Sequence, residues 1–206
     1  MRIHEVRHPL IAHKLTQLRD ENTPADRFRN LTAELVQLLA FPATEHLPTR
    51  TRDIVTPVEA TTAAELAGPK PLIVPILRAG LGMLEGMSRA LPEAEVGFLG
   101  MVRDEETLEV STYAERLPAD LTGRHVFVLD PMLATGNTMA AALQYLEKAG
   151  AESVTAITLV SAPEGIAQLE GNKGSLYTGS IDDGLTDNAY IRPGLGDAGD
   201  RLFGTV

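Results

Sequence analysis

The sequence contains no cysteine and no tryptophan. Without cysteine there can be no disulfide, no thiolate metal site and no cysteine nucleophile, though this absence leaves the compartment open. Aromatic residues make up only 4% of the chain, so its core has to be aliphatic. Basic residues are also in deficit: 18 Lys and Arg face 28 Asp and Glu, a formal net charge of −10. So acidic a chain has no basic face for general nucleic-acid binding or for docking on anionic membranes. Neither nucleic acid nor membrane is therefore an expected partner. A phosphorylated ligand would have to be held by local devices: a few arginines, backbone N–H groups or a metal ion. Long apolar runs are missing too. The densest, Leu72–Leu77, falls far short of the roughly 20 residues of a membrane span. Met1–Leu15 has no apolar stretch of the kind a targeting segment carries. The expectation is a soluble, cytoplasmic protein.

What remains is ordinary globular composition: 206 residues, 44% hydrophobic and 22% charged, enough for one domain. Thr23-Pro24-Ala25-Asp26 reads as a helix start, with Thr23 as the cap and Pro24 where its missing donor costs nothing. Phe28, Leu31, Leu35, Leu38 and Leu39 follow at helical spacing, and Pro42 is expected to end the run. From residue 70 strands and helices alternate. Leu72–Leu77, His125–Leu129 and Val154–Val160 read as buried strands, and 80–90, Thr138–Ala149 and Pro163–Gly171 as helices. Glu95–Val102 and Thr107–Tyr113 read as strands too close together for a crossover helix, hence an antiparallel excursion. This rhythm predicts an α/β fold with a mostly parallel sheet.

His4-Glu5-Val6-Arg7-His8 matches the H-E-x-x-H pattern of zinc proteases. That chemistry needs both histidines on one face of a helix. Pro9 pushes His8 away from helical dihedrals, which argues against the zinc reading. The segment Val126–Leu129, Asp130-Pro131-Met132-Leu133-Ala134-Thr135-Gly136-Asn137-Thr138 is a strand, an acid, a loop and a helix start. Parallel-sheet proteins bind ligands at the carboxyl ends of strands. There an Asp can accept hydrogen bonds from sugar hydroxyls, and the loop and helix N-terminus can cradle a phosphate. It lacks the Gly-Lys-Ser/Thr ending of a Walker loop, and an ordinary capped helix is the bland alternative. Pro75-Ile76-Leu77-Arg78-Ala79-Gly80 sets an Arg directly after a buried strand, where it could clamp an anion. Met101–Leu108, with Arg103, is either a solvated hairpin tip or a lid. Ala189–Arg201 packs three Gly and two Asp into positions 194–201, as a backbone-rich pocket wall might be built, or a loose chain end anchored by Leu202 and Phe203.

Taken together, Val74–Met83, Glu105–Glu109, Asp130–Gly136 and Pro193–Asp200 resemble the uracil phosphoribosyltransferase family. His8-Pro9-Leu10 and Ala162–Gly165 fit it as well. The resemblance implies the type I phosphoribosyltransferase fold: a mostly parallel central sheet flanked by helices, a flexible hairpin loop and a C-terminal hood. It implies one domain over 1–206, with a core at about 50–180 and a hood at about 181–206 helped by the N-terminus. The implied reaction joins uracil and phosphoribosyl pyrophosphate (PRPP) into UMP, with Mg²⁺ held mainly by PRPP rather than by protein ligands. It further implies a homodimer or tetramer and a GTP effector. Carried over residue by residue, Asp130, Pro131, Met132, Leu133, Ala134, Thr135, Gly136, Asn137 and Thr138 would bind the ribose and 5-phosphate. Arg78 and Arg103 would reach the pyrophosphate, and Ile191, Gly196, Asp197 and Ala198 would frame uracil. Asp130, Arg78 and Asp197 would be the catalytic set, with no certain general base.

Two departures stand out. The family's loop usually continues Gly-Gly-Ser, where this chain has Gly136-Asn137-Thr138, and Arg192 replaces a more usual apolar residue. If position 137 requires a left-handed backbone, Asn is the best substitute for Gly. Two other functions share the fold: an RNA-binding pyrimidine regulator and a catalytically silent nucleotide-binding module. The acidic balance argues against the first. Retention of Asp130 and Arg78 argues against the second.

Overall fold

The computed structural model describes residues 1–103 and 110–205. The chain opens with strand Arg2–Glu5 (β1), helices Pro9–Arg19 (α1) and Ala25–Ala43 (α2), and strands Thr49–Val55 (β2) and Ala60–Leu66 (β3). There follow Leu72–Leu77 (β4), Leu81–Ala90 (α3), Glu95–Val96 (β5), Phe98–Arg103 (β6), Val110–Arg116 (β7) and His125–Leu129 (β8). Next come Met132–Leu133 (β9), Asn137–Lys148 (α4), Ser153–Thr158 (β10), Val160–Ser161 (β11), Pro163–Gln168 (α5) and Ser175–Thr178 (β12). Gly184–Leu185 (β13), Ile191–Arg192 (β14) and Ala198–Phe203 (α6) close the chain.

The main sheet runs β1-β12-β10-β8-β4-β6-β7, with β5 also on β4. Every pairing in it is parallel except β6 with β7, the antiparallel excursion expected from the short spacing. β4 and β8 are apolar on both faces because both faces are covered. Alternate residues go to opposite sides. Ile73, Phe127 and Leu129 join the layer of α1, α2 and α3, while Leu72, Val74, Val126 and Val128 meet α4.

Local chemistry moves several boundaries. α2 starts at Ala25, but Thr23 does not cap it: its hydroxyl donates to the Gln17 carbonyl at 2.6 Å. Pro42 sits inside the last turn, and the helix continues to Ala43. The expected strand 95–102 breaks at Gly97, whose N–H bonds the Ile73 carbonyl. The expected strand 154–160 breaks at Leu159, whose N–H turns to the Pro131 carbonyl. The H-E-x-x-H pattern is split between two elements. His4 lies in β1 with its ring stacked on Tyr177, whereas His8 caps α1 by accepting the Leu10 N–H. The two histidines therefore share no helix face, and the zinc reading falls.

The β2–β3 hairpin has no apolar alternation and is exposed along most of its length. Arg50 and Arg52 of one strand reach Glu65 of the other at 2.8 and 3.0 Å.

On the other side of the sheet α3 crosses α2 closely, because Gly86 leaves room for the Ala33 carbonyl. A Cβ at Gly86 would stand 2.3 Å from that oxygen. Gly86→Ala should therefore destabilise the fold by about 1–3 kcal/mol as the helices are forced apart. Urea unfolding measures this, and a loss below about 0.5 kcal/mol would show that the helices separate freely.

Candidate active site

The site starts from strand pairing. Pro75 of β4 stands opposite Leu129 of β8, so the residues after each strand leave the sheet at one edge. Those residues are Arg78, which is exposed, and Asp130, which is half-buried. Gly80 makes the close approach possible: a Cβ there would lie 2.4 Å from the Leu129 carbonyl oxygen. The Leu77–Arg78 peptide is cis. β6 brings a third residue to the same edge. Leu77 pairs with Gly100, and Arg103 ends the strand three residues on, its backbone opposite Val110. The Arg103 side chain and the Asp104–Leu108 part of the expected lid lie outside the described residues.

Asp130 accepts one long hydrogen bond, 3.4 Å, from the Met132 N–H. Burial pushes its carboxyl up to about 7, and this single backbone bond offsets little of it. The loop beyond is fastened by backbone. The Pro131 carbonyl accepts from Leu159 and Val160, and the Leu133 carbonyl accepts from Ala162. Met132 and Leu133 also pair with Val160 and Ser161. From below, α5 presses its Gly165 against the loop, where a Cβ would come within 2.5 Å of the Ala134 carbonyl. This explains the motif Ala162–Gly165 noted in the sequence.

The loop ends at Gly136, which is left-handed at φ 81°, and α4 begins at Asn137. This corrects the sequence expectation. Among the described residues the only non-glycine with positive φ is Ala189, so Asn137 needs no left-handed backbone. Gly136 already makes the turn. Its lack of a Cβ also admits the Gly165 carbonyl, which a Cβ would approach to 2.6 Å. The first N–H groups of α4, at Asn137, Thr138 and Met139, have no partner within the helix and carry its positive end. Pro131, Met132, Leu133, Ala134, Thr135, Gly136, Asn137 and Thr138 thus form one tethered loop running from Asp130 to a helix N-terminus.

The C-terminal candidates form a second group. Ile191 and Ala198 are buried in the α1–α3 core, so only their backbone groups remain to meet a ligand. Gly196 is exposed with φ 78°, and Asp197 is exposed as the cap of α6, where it accepts the Asp200 N–H at 2.9 Å. Arg192 is exposed in β14. This group is tied to the strand ends through residues 181 and 182. Ile181 bridges Ser161, and the Asp182 N–H donates to the Ser161 carbonyl.

The sequence reading missed what holds that tail in place. Arg19 forks onto Asp182 with two contacts of 2.6 Å, and the Asp182 side chain is only 2% exposed. Asp182 also accepts from the Ser180 hydroxyl and the Gly194 N–H. Burial alone would push its carboxyl up, but the Arg19 guanidinium and the Ser180 hydroxyl hold it below the usual range. Arg201 donates to the carbonyls of Leu195 and Asp20 and stacks over Phe28, 4.5 Å from the ring centre. Arg19 and Asp182 stand 163 residues apart. No local spacing in one sequence signals such a pair.

Comparison with known proteins decides what this arrangement belongs to. A family model described as uracil phosphoribosyltransferase matches residues 5–205. The chain belongs to the uracil phosphoribosyltransferase family. Curated relatives bearing the name uracil phosphoribosyltransferase include one from Streptomyces avermitilis, 60% identical over 210 residues and covering all of both chains. Another, from a Nocardioides species, is 59% identical over 212 residues and also covers both fully. A solved structure of an Aquifex aeolicus protein superposes with a TM-score of 0.92 at 40% identity over 98% of each chain. A hypoxanthine-guanine phosphoribosyltransferase from Bacillus anthracis shares the fold alone, with a TM-score of 0.55 at 14% identity over 77% of this chain and 80% of that one. The fold of this family member is the type I phosphoribosyltransferase fold read from the sequence.

Two outcomes follow from the loop geometry. Gly136→Ala should lose at least about 1–2 kcal/mol of stability through left-handed strain, while Asn137→Val should stay within about 0.5 kcal/mol of the parent. Thermal unfolding of both variants distinguishes them; the reverse order would place the left-handed turn at 137.

The raised carboxyl of Asp130 has a stability consequence of definite sign. The folded chain holds this proton more tightly than the unfolded one. Its contribution is therefore complete below the ordinary Asp value of 3.8 and lost as the pH rises to about 7. Asp130→Asn should raise Tm at about pH 8 and change it little at about pH 4. Equal shifts at both pH values would remove the carboxyl as the cause.

Proposed function

We propose that this chain transfers the phosphoribosyl group of PRPP to uracil, releasing pyrophosphate and forming UMP, within one domain over residues 1–206. The observation that carries the reading is the juxtaposition of Arg78 and the Asp130–Thr138 loop at one sheet edge, in a chain matched by the family model over residues 5–205. In this reading Asp130 accepts hydrogen bonds from the ribose hydroxyls. Its charge, once ionised, favours the positive character the sugar gains as the pyrophosphate departs. The N–H groups at the start of α4, with the hydroxyls of Thr135 and Thr138, receive the 5-phosphate. Arg78 and Arg103 oppose the negative charge that builds on the leaving group. Backbone at Ile191 and at Gly196–Ala198 reads the edge of the flat base, and Asp197 stands near the phosphoribosyl group.

The residues suit a Mg²⁺ ion carried by the substrate. Among the described residues no group of three His, Asp or Glu could cage a metal, and Asp130 is a single carboxylate that accepts one backbone hydrogen bond. Such an ion would be held by PRPP oxygens and water, and when bound it would neutralise pyrophosphate charge. His125 takes no part as a base. It opens β8, at the far edge of the sheet, and shares a 2.6 Å hydrogen bond with the Ser153 hydroxyl. Among the described residues no helix is long and apolar enough to cross a membrane. Placement in the cytoplasm, expected from the sequence, belongs to the same proposal. A GTP effector and a homodimeric or tetrameric assembly belong to the same proposal and rest on the family resemblance alone.

The test is to incubate the protein with PRPP and Mg²⁺ against uracil, cytosine, hypoxanthine and adenine. UMP should form from uracil, and excess EDTA should abolish it. Nucleotide formed only from a purine, or undiminished turnover in EDTA, would overturn the reading.

A further inference from the structure

The segment proposed to frame the base, 191–198, is anchored in the core by Ile191, Leu195 and Ala198, but between the first two it turns at a residue with no side chain, Gly194. Gly194 and Gly196 are left-handed, and a Cβ at Gly194 would come within 2.1 Å of the Ile191 carbonyl. At Gly194 the backbone is held by groups outside the segment. Both backbone polar groups of Gly194 are taken by one ion pair. Its N–H donates to Asp182 Oδ2 at 2.9 Å, and its carbonyl accepts from Arg19 Nη1 at 2.6 Å. The same Arg19 nitrogen also donates to Asp182 Oδ2, closing a ring of three groups.

Neither partner is free to drift. Arg19 is the last residue of α1, and its other nitrogen reaches Asp182 Oδ1. Asp182 Oδ1 is further held by Ser180, whose carbonyl accepts from the Thr178 hydroxyl and from the Ser161 N–H. Thr178, Ser161 and Thr158 continue as a buried chain of hydroxyls with spacings of 3.0 and 2.9 Å, ending at the carboxyl end of β10. The chain of contacts thus runs from the sheet edge beside Asp130, through Asp182, to the backbone of the base segment.

We propose that Arg19 and Asp182 are positioning residues for base recognition, an ion pair that sets the backbone of the 191–198 segment by holding both polar groups of Gly194. The inference rests on the reading of that segment as the uracil frame. Neither side chain touches the reacting atoms in this assignment; both act through Gly194. A bidentate Arg–carboxylate pair suits the task, because its fork fixes orientation as well as distance.

The experiment measures kcat, the KM for uracil and the KM for PRPP in Asp182→Asn, Arg19→Lys and Gly196→Ala, with Tm recorded for each. Asp182→Asn should raise the KM for uracil about tenfold, the loss of one to two charge-assisted hydrogen bonds at the frame. The KM for PRPP should stay within about twofold, because the loop's backbone bonds to Leu159, Val160 and Ala162 involve neither Arg19 nor the Asp182 carboxylate. Arg19→Lys keeps the charge opposite Asp182 but cannot also span to the Gly194 carbonyl, so it should show the same split in smaller degree. It carries the test if Asp182→Asn fails to fold. Gly196→Ala, which adds a methyl in the frame itself, should raise the KM for uracil independently. If Gly196→Ala raises it while the Arg19 and Asp182 variants move neither constant, or move both together, the positioning role is wrong and the frame stands. If none of the three moves the KM for uracil, the frame reading falls and the inference with it.

Discussion

The parallel pairing of β4 with β8 is the constraint on which the site depends. It needs no side chain from the site itself. Apolar residues on both faces of both strands drive the pairing, and the register sets Pro75 opposite Leu129. Arg78 and Asp130 then emerge together because each strand ends where its hydrophobic run ends. Gly80 sharpens the arrangement by letting the turn after β4 rest on the Leu129 carbonyl. A cation and an acid are thus presented on rigid elements, the placement that precise chemistry requires.

The rest of the edge is assembled on that base by backbone rather than by side chains. β9 pairs with β11 directly beyond β8 and β10, so the loop after Asp130 is tied to the turn after β10. α5 covers this loop through two glycines: Gly136 admits the Gly165 carbonyl, and Gly165 admits the carbonyls of Leu133 and Ala134. The tail is fastened differently, by the guanidiniums of Arg19 and Arg201 acting on its carbonyls. One end of the site is built into the sheet, and the other is strapped on by charge.

The difference decides what could be read from sequence. β4 and β8 were legible to the residue, because an apolar run buried on both faces has no competing interpretation once Asp, Pro or Arg follows it. The course of the Asp130–Thr138 segment, a strand end, a loop and a helix start, was legible through residue types. The conformation within it was less so. A familiar Gly-Gly pattern suggested that position 137 carried the left-handed turn, whereas Gly136 alone carries it. β2 and β3 left no periodic signal, because Thr, Arg and Ala on an exposed hairpin have no buried face to advertise. β1 and α1 were passed over for a related reason. Arg2-Ile3-His4-Glu5, with one apolar residue among polar ones, becomes a strand only when β12 is there to receive it.

Asp130 couples this site to the solvent proton. Near neutrality the free protein carries its carboxyl partly protonated, since burial places it at about 7. A ligand whose hydroxyls donate to that carboxyl favours the ionised form. Occupancy and deprotonation are then linked, and each molecule bound expels a fraction of a proton into the medium. The affinity for such a ligand accordingly climbs with pH across this range. In calorimetry the heat of binding would differ between buffers of different ionisation enthalpy, even though every contact in the complex is the same.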